Sequence, residues 1–220
     1  MGVITISRQV GSQGTLIAQS VADELGFVVI DKEDIEAIMD EYGFVSFELI
    51  YDAKISFWGR FDEQRTKTVE FLRDVMCAIA KHGDVVLLGR GGFGLLQGYT
   101  DVLNVRIKAP LELRAIRKQE EHGGSDRKAK ESLERVDHIR SSFVSHDLGY
   151  DMNDIERFDL VLDTGVVSTA EASATIVAAY RHLLINHRVN ARKTRADLVV
   201  DEVLQRLVAN IVTEKRKTKS

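Results

Sequence analysis

At 220 residues, with 44% hydrophobic and 29% charged side chains, the chain is long enough for one domain with a sizeable core. A formal net charge of −4 excludes a global electrostatic pull toward nucleic acid. A single cysteine, Cys77, excludes an internal disulfide, and its neighbours Val75, Met76, Ala78 and Ile79 mark it as a packed core thiol.

The N-terminus opens directly into an apolar, β-branched run, so no signal peptide, membrane span or lipid anchor is expected, and the expected compartment is the cytoplasm. Strands are predicted at about 2–6, 27–30, 85–88, 102–107 and 159–163. Their near-continuous apolar character fits strands buried on both faces of a parallel sheet. Helices are predicted between them at about 14–25, 32–41, 61–82, 111–121, 126–145 and 169–186. Pro110 stands where the fourth strand hands over to a helix, and Ser168-Thr169-Ala170-Glu171 reads as a capping box opening the last of these helices. The alternation predicts a layered α/β fold.

Ligands of such sheets bind beyond the carboxyl ends of the strands. The first loop there is Ser7-Arg8-Gln9-Val10-Gly11-Ser12-Gln13-Gly14-Thr15. A strand, a Gly/Ser loop and a helix make the context of a phosphate cradle, although the motif G-x-x-x-x-G-K-[ST] is incomplete because no lysine is present. A tight strand-to-helix turn is the other reading of this loop. After the second strand come Asp31-Lys32-Glu33, read either as an acceptor-orienting aspartate or as an N-cap with a solvated charge pair. An insertion rich in aromatics follows (Tyr42, Phe44, Phe47, Tyr51, Phe57, Trp58, Phe61), able to form a small helical core or to cap a base, and Arg60 and Arg65 are candidates to hold an acceptor phosphate. Gly89-Arg90-Gly91-Gly92-Phe93-Gly94 satisfies a dinucleotide fingerprint, but neither a long helix nor a strand ending in an acid follows it. Arg114, Arg117, Arg127, Arg135 and Arg140 form an arginine series around His122-Gly123-Gly124, a hinge candidate. The six histidines show no metal-ligand spacing.

Several of these segments, in order, resemble the cytidylate kinase-like family. They are Ile6 to Gly14, Ile17-Ala18, Leu25-Gly26, Asp31 to Glu33, Leu88 to Gly92, Val105 to Glu112, Arg135 to Arg140, and Phe158 to Thr164, and the likeness covers about 2–183. The resemblance implies a P-loop NTPase three-layer fold with a five-stranded parallel sheet, a helical substrate-domain insertion at about 40–82 and a mobile lid at about 118–145. The kinase-like domain would span 1–184 and a basic helical extension 185–220. The resemblance also implies ATP and Mg2+ as reactants, with CMP or dCMP as the acceptor. Ser7, Arg8, Gly11, Ser12, Gln13, Gly14 and Thr15 would bind ATP phosphates. Asp31, Arg60, Arg65 and Arg90 would bind the acceptor, and Arg8, Arg117, Arg140 and Asp137 would serve catalysis, Asp137 by orienting arginines. Beside true cytidylate kinases, Gly14 falls where their loop lysine stands and Leu16 where a magnesium-associated hydroxyl stands, leaving Ser12 or Thr15 as the nearest hydroxyl. Arg8 is then the nearest cation. Gly91 replaces an aspartate of those kinases, which bears on cytosine selectivity. A nucleotide-binding protein that no longer transfers phosphate, acting as a sensor or partner-binding module, is the alternative.

From residue 185 onward nine Lys/Arg stand against four Asp/Glu, a local charge of +5 that leaves −9 on the rest of the chain. Val200, Val203, Leu204, Leu207, Val208, Ile211 and Val212 recur at helical spacing. Such a stripe is expected to dock on its own domain or to form a homodimer, and no nucleic-acid or membrane partner is expected.

Overall fold

The computed structural model describes residues 2–44, 63–186 and 193–218. Five strands, β1 (Val3–Arg8), β2 (Val28–Ile30), β3 (Val85–Leu88), β4 (Val102–Lys108) and β5 (Leu160–Asp163), form one parallel sheet in the order β2-β3-β1-β4-β5. The helices are α1 (Gly14–Leu25), α2 (Lys32–Glu41), α3 (Glu63–His82), the single turn α4 (Gly92–Leu95), α5 (Leu111–His122), α6 (Asp126–Phe143), α7 (Thr169–Asn186) and α8 (Glu202–Thr218). The α/β expectation holds.

Successive side chains of a strand point to opposite faces, and here both faces are dry. Val3, Val85 and Leu87 join α2, α3 and α8 in one core, through Ile35, Ile38, Leu72, Val75, Ile79, Leu204 and Val208 among others. Ile4, Ile6, Val86 and Leu88 meet α1 and α7 on the other face, against Ile17, Val21, Ile176 and Tyr180. This double burial is why the strands read as continuous apolar runs. One polar pair interrupts the sheet interior, and it is satisfied, since the Thr5 hydroxyl donates to Asn104 Oδ1 at 2.7 Å.

Three boundaries shift. β1 runs on to Arg8, because Ser7 and Arg8 still pair with Arg106 and Ile107 of β4. The helix expected to reach 145 ends at Phe143 and continues as a π-helical turn over Val144–Leu148. The tail helix begins at Glu202 and runs to Thr218. The capping box at α7 is present, with Glu171 N–H donating to Ser168 Oγ at 3.2 Å and Ser168 N–H to Glu171 Oε2 at 2.8 Å.

The α8 stripe docks on its own domain. Leu204, Val208 and Val212 are buried and Leu207 and Ile211 pack beside them, whereas Val203 remains 63% exposed. Polar ties complete the seat. Lys215 Nζ donates to the Val29 carbonyl at 3.1 Å on the edge strand β2 and pairs with Asp34. The buried Arg195 sits against Lys81 and Asp101. An edge strand presents unpaired backbone groups, and α8 covers part of this one. Of the insertion's aromatics, Tyr42 and Phe44 lie 4.9 and 4.6 Å from the Phe71 ring of α3, Phe44 stacked on it beside the core and Tyr42 exposed. Phe47, Tyr51, Phe57, Trp58 and Phe61 lie outside the described residues.

Candidate active site

The loop from Arg8 to Thr15 leaves β1 and enters α1. Each of its carbonyls from Arg8 to Ser12 is held by a donor. The Arg8 carbonyl accepts from Arg140 (3.4 Å), that of Gln9 from the Ser12 hydroxyl (2.8 Å), that of Val10 from Arg114 (3.2 Å), that of Gly11 from Arg117 (3.2 Å), and that of Ser12 from the Thr164 hydroxyl (3.0 Å). Gln13 takes a left-handed φ of 60° just before the helix, and no side chain caps the first turn of α1. The first amides of a helix have no intrahelical acceptor. With these carbonyls already paired and the first amides of α1 open, the start of the helix is suited to an anion.

The braces come from the arginine series. Arg114 is buried, with its guanidinium on the carbonyls of Ala109 and Val10 and at 2.6 Å from Asp137 Oδ2. Asp137 Oδ1 accepts the Val10 N–H at 3.1 Å, so this carboxylate ties helix α6 to the loop and orients Arg114. Arg117 reaches the Gly11 carbonyl and both the hydroxyl and the carbonyl of Thr164. Arg114 and Arg117 therefore shape the loop from behind. Arg127 makes an exposed i, i+4 pair with Glu131, and Arg135 is exposed. Gly123 and Gly124, both with positive φ, separate α5 from α6 at the expected hinge.

In front of the loop lies a cleft lined by Ser7, Arg8, Gly89, Arg90, Arg140 and Phe93. Beside it a cavity of about 220 Å³ is lined by Gln9, Arg106, Asp137, Arg140 and Asn153. Arg106 went unassigned in the sequence, where it is one residue of a family motif. Its Nη1 donates to the Ser7 hydroxyl at 2.7 Å, and burial, with Arg140 and Arg114 near, lowers its pKa against the opposing pull of Asp137. A charged residue in a strand whose other members are mostly buried was the available signal. Arg8, Arg90, Arg106 and Arg140 thus converge at the carboxyl ends of β1, β3 and β4.

Asp31 and Arg90, both read as acceptor-binding, line different cavities. Asp31 lines a separate cavity of about 250 Å³ with Thr15, Gln19, Leu88 and Lys215. It also caps α2, accepting from the Glu33 and Asp34 amides while its own N–H donates to Asp34. Burial pushes its carboxyl up, but the hydrogen bonds with Asp34 and the charge of Lys215 outweigh it and leave the pKa below the ordinary value. Arg90, in a left-handed conformation, pairs with Glu36 of the same helix at 2.8 Å. Arg65 makes a two-pronged pair with Asp147 at 2.6 and 2.7 Å. Arg60 lies outside the described residues. Ser12 does not fit as a magnesium ligand, since its hydroxyl is fully buried and donates to the Gln9 and Ile107 carbonyls. Thr15 is exposed in the first turn of α1 and lines the cavity beside Asp31. Among the described residues no group of three acidic, His or Cys side chains forms a metal cluster.

The comparisons with known proteins agree with this architecture. A profile described as the cytidylate kinase-like family matches residues 3–166. The chain belongs to the cytidylate kinase-like family. A cytidylate kinase of Pyrobaculum aerophilum is 32% identical over 175 residues, covering 78% of this chain and 89% of that protein. A cytidylate kinase of Ignicoccus hospitalis is 29% identical over 183 residues, covering 80% and 97%. A crystal structure of an uncharacterized protein from Eubacterium ventriosum superposes with a TM-score of 0.64 at 18% identity, covering 82% of this chain and 98% of that one, which supports the fold. The family match stops at 166, so α7 and α8 lie wholly beyond it. Among the described residues no helix is long and apolar enough to cross a membrane.

Proposed function

We propose that the protein is an ATP-dependent nucleoside monophosphate kinase acting on CMP, dCMP or a closely related acceptor. The observation that carries this reading is the loop whose five consecutive carbonyls are each already paired, beside an uncapped helix N-terminus and a cleft lined by Arg8, Arg90 and Arg140. Phosphoryl transfer asks the protein mainly for positioning and charge neutralisation. The loop amides and the start of α1 hold the triphosphate, and Arg140 and Arg106 lie where charge builds on the transferred group. Mg2+ would arrive with the nucleotide and supply charge neutralisation, and the Thr15 hydroxyl is the protein group that would help to hold it. Asp137 acts as a positioning residue through Val10 and Arg114. A lid at about 118–145, hinged at Gly123-Gly124, would exclude water on closing. Asp31, beside its own cavity, is the residue that would orient the acceptor, while Arg90 stands in the cleft in front of the loop.

The second reading, a nucleotide-binding module without transfer, has one observation in its favour: the loop lacks its lysine, with Gly14 in that place. A thermal-shift panel separates ligand classes, because ligands of the native state raise its melting temperature by mass action. ATP with Mg2+ and CMP should each shift the melting point. A response to neither would remove both readings, and a response to ATP alone favours the second.

A further inference from the structure

We propose that the loop's phosphate cation has changed places with a glycine: Arg8, at the end of β1, does the work of the lysine that the motif carries in the first turn of the helix, and Gly14 and Gly89 make the room for it. The proposal rests on the kinase reading above and adds to it where the charge resides. With the lysine of G-x-x-x-x-G-K-[ST] set at position 14, the first glycine of the motif falls at position 8 and the second at 13. Here position 8 is Arg and position 14 is Gly, a reciprocal exchange, while Gln13 keeps the left-handed backbone that suits glycine.

The geometry makes the two arrangements mutually exclusive. A Cβ placed on Gly14 would lie 2.6 Å from Arg8 Cβ and 2.9 Å from its Cγ. Those are stem atoms fixed at the strand rather than the swinging end of the side chain, so a side chain at 14 and an arginine at 8 cannot share this corner. At the far end, a Cβ on Gly89 would overlap Arg8 Nη1. The side chain therefore runs from above the first residue of α1 to the loop after β3, across the front of the phosphate loop. Its guanidinium stands in the cleft that Arg90 and Arg140 also line. The ligand class is an oligophosphate. Arginine's planar fork suits phosphate oxygens as well as an ammonium does, and it keeps its charge at any working pH.

The test measures the dissociation constant of MgATP by calorimetry, with circular dichroism melting as the folding control. Arg8→Met keeps the stem over Gly14 and removes the charge, and it should weaken binding about tenfold or more. Arg8→Lys should stay close to wild type. Gly14→Lys alone should lose affinity or stability through the clash, and the double variant Arg8→Gly/Gly14→Lys, which restores the usual arrangement, should bind more tightly than Arg8→Gly by about tenfold. A folded Arg8→Met that binds as tightly as wild type overturns the inference and leaves the kinase reading standing. So does a folded double variant no tighter than Arg8→Gly. A wild-type protein that binds no triphosphate overturns the kinase reading, and the inference with it.

Discussion

Leu204→Ala removes a side chain that is 1% exposed in the seam where α8 meets α3. Its neighbours belong to the sheet core, including Val208 at 0% and Val212 at 1% exposure, so the surroundings cannot collapse freely into the space. Leu→Ala changes at such sites cost about 2–5 kcal/mol, the lost transfer energy plus the cavity. For a domain of this size each kcal/mol lowers the melting temperature by about 2–4 °C, so the expected drop is about 4–20 °C. The neighbouring Val203 is 63% exposed, and Val203→Ala should stay within about 0.5 kcal/mol of wild type. Thermal and urea melts of the two variants, read by circular dichroism, give the comparison. Truncation after Ile185 should be worse than either, since it also deletes Arg195 and Lys215 with their buried ties. Equal melting temperatures for Leu204→Ala and Val203→Ala would refute the docking argument. Unchanged stability of the truncated protein would show α8 to be a passive appendage.

Asp31→Asn keeps a good helix cap while removing the charge, so CMP binding should weaken by about 1–3 kcal/mol with little change in melting temperature or ATP affinity, by titration calorimetry. Asp137→Asn should loosen both its ties, to Val10 and to Arg114, and lower ATP affinity by a similar factor; unchanged affinity would deny the carboxylate its positioning role. Glu171 is held below its ordinary pKa by the backbone and side chain of Ser168, and Asp163 by Lys108 and then the Gly165 amide. A depressed carboxylate contributes stability above its unfolded pKa and loses it as pH falls through the folded value, so stability should decline below about pH 4, and Glu171→Gln should flatten that limb of the urea-melt profile. Burial, with help from Asp74, pushes the Cys77 thiol up to about 11, so a thiol reagent at pH 8 should leave it unmodified until denaturant is added.

Local and periodic features were legible in the sequence. Val85 to Leu88 read as a strand dry on both faces, and Ser168 with Glu171 as a box across one helix end. The α8 stripe was legible as a stripe, but periodicity does not say which surface receives it; that is decided by the exposed flank of α3 and the open edge of β2. The site was less legible because its bonds join distant residues. Arg114 and Arg117 look like solvated charges on one helix face. Arg114 is nevertheless buried, because Asp137 lies 23 residues later and the Val10 carbonyl 104 residues earlier. Arg65 likewise finds Asp147 across 82 residues, which no local pattern announces. Asp31 was read as either a cap or a site residue; the cap is present, and the cavity beside it keeps the second role open to test.

Phosphorus NMR of the wild-type protein incubated with ATP, Mg2+ and CMP measures the transfer itself. The kinase account predicts that the γ-phosphate signal of ATP disappears while the β-phosphate signals of ADP and CDP grow in equal amounts, with no reaction when CMP is omitted. Tight ATP binding with no transfer to CMP, dCMP or any other nucleoside monophosphate would contradict it and leave a nucleotide-binding module.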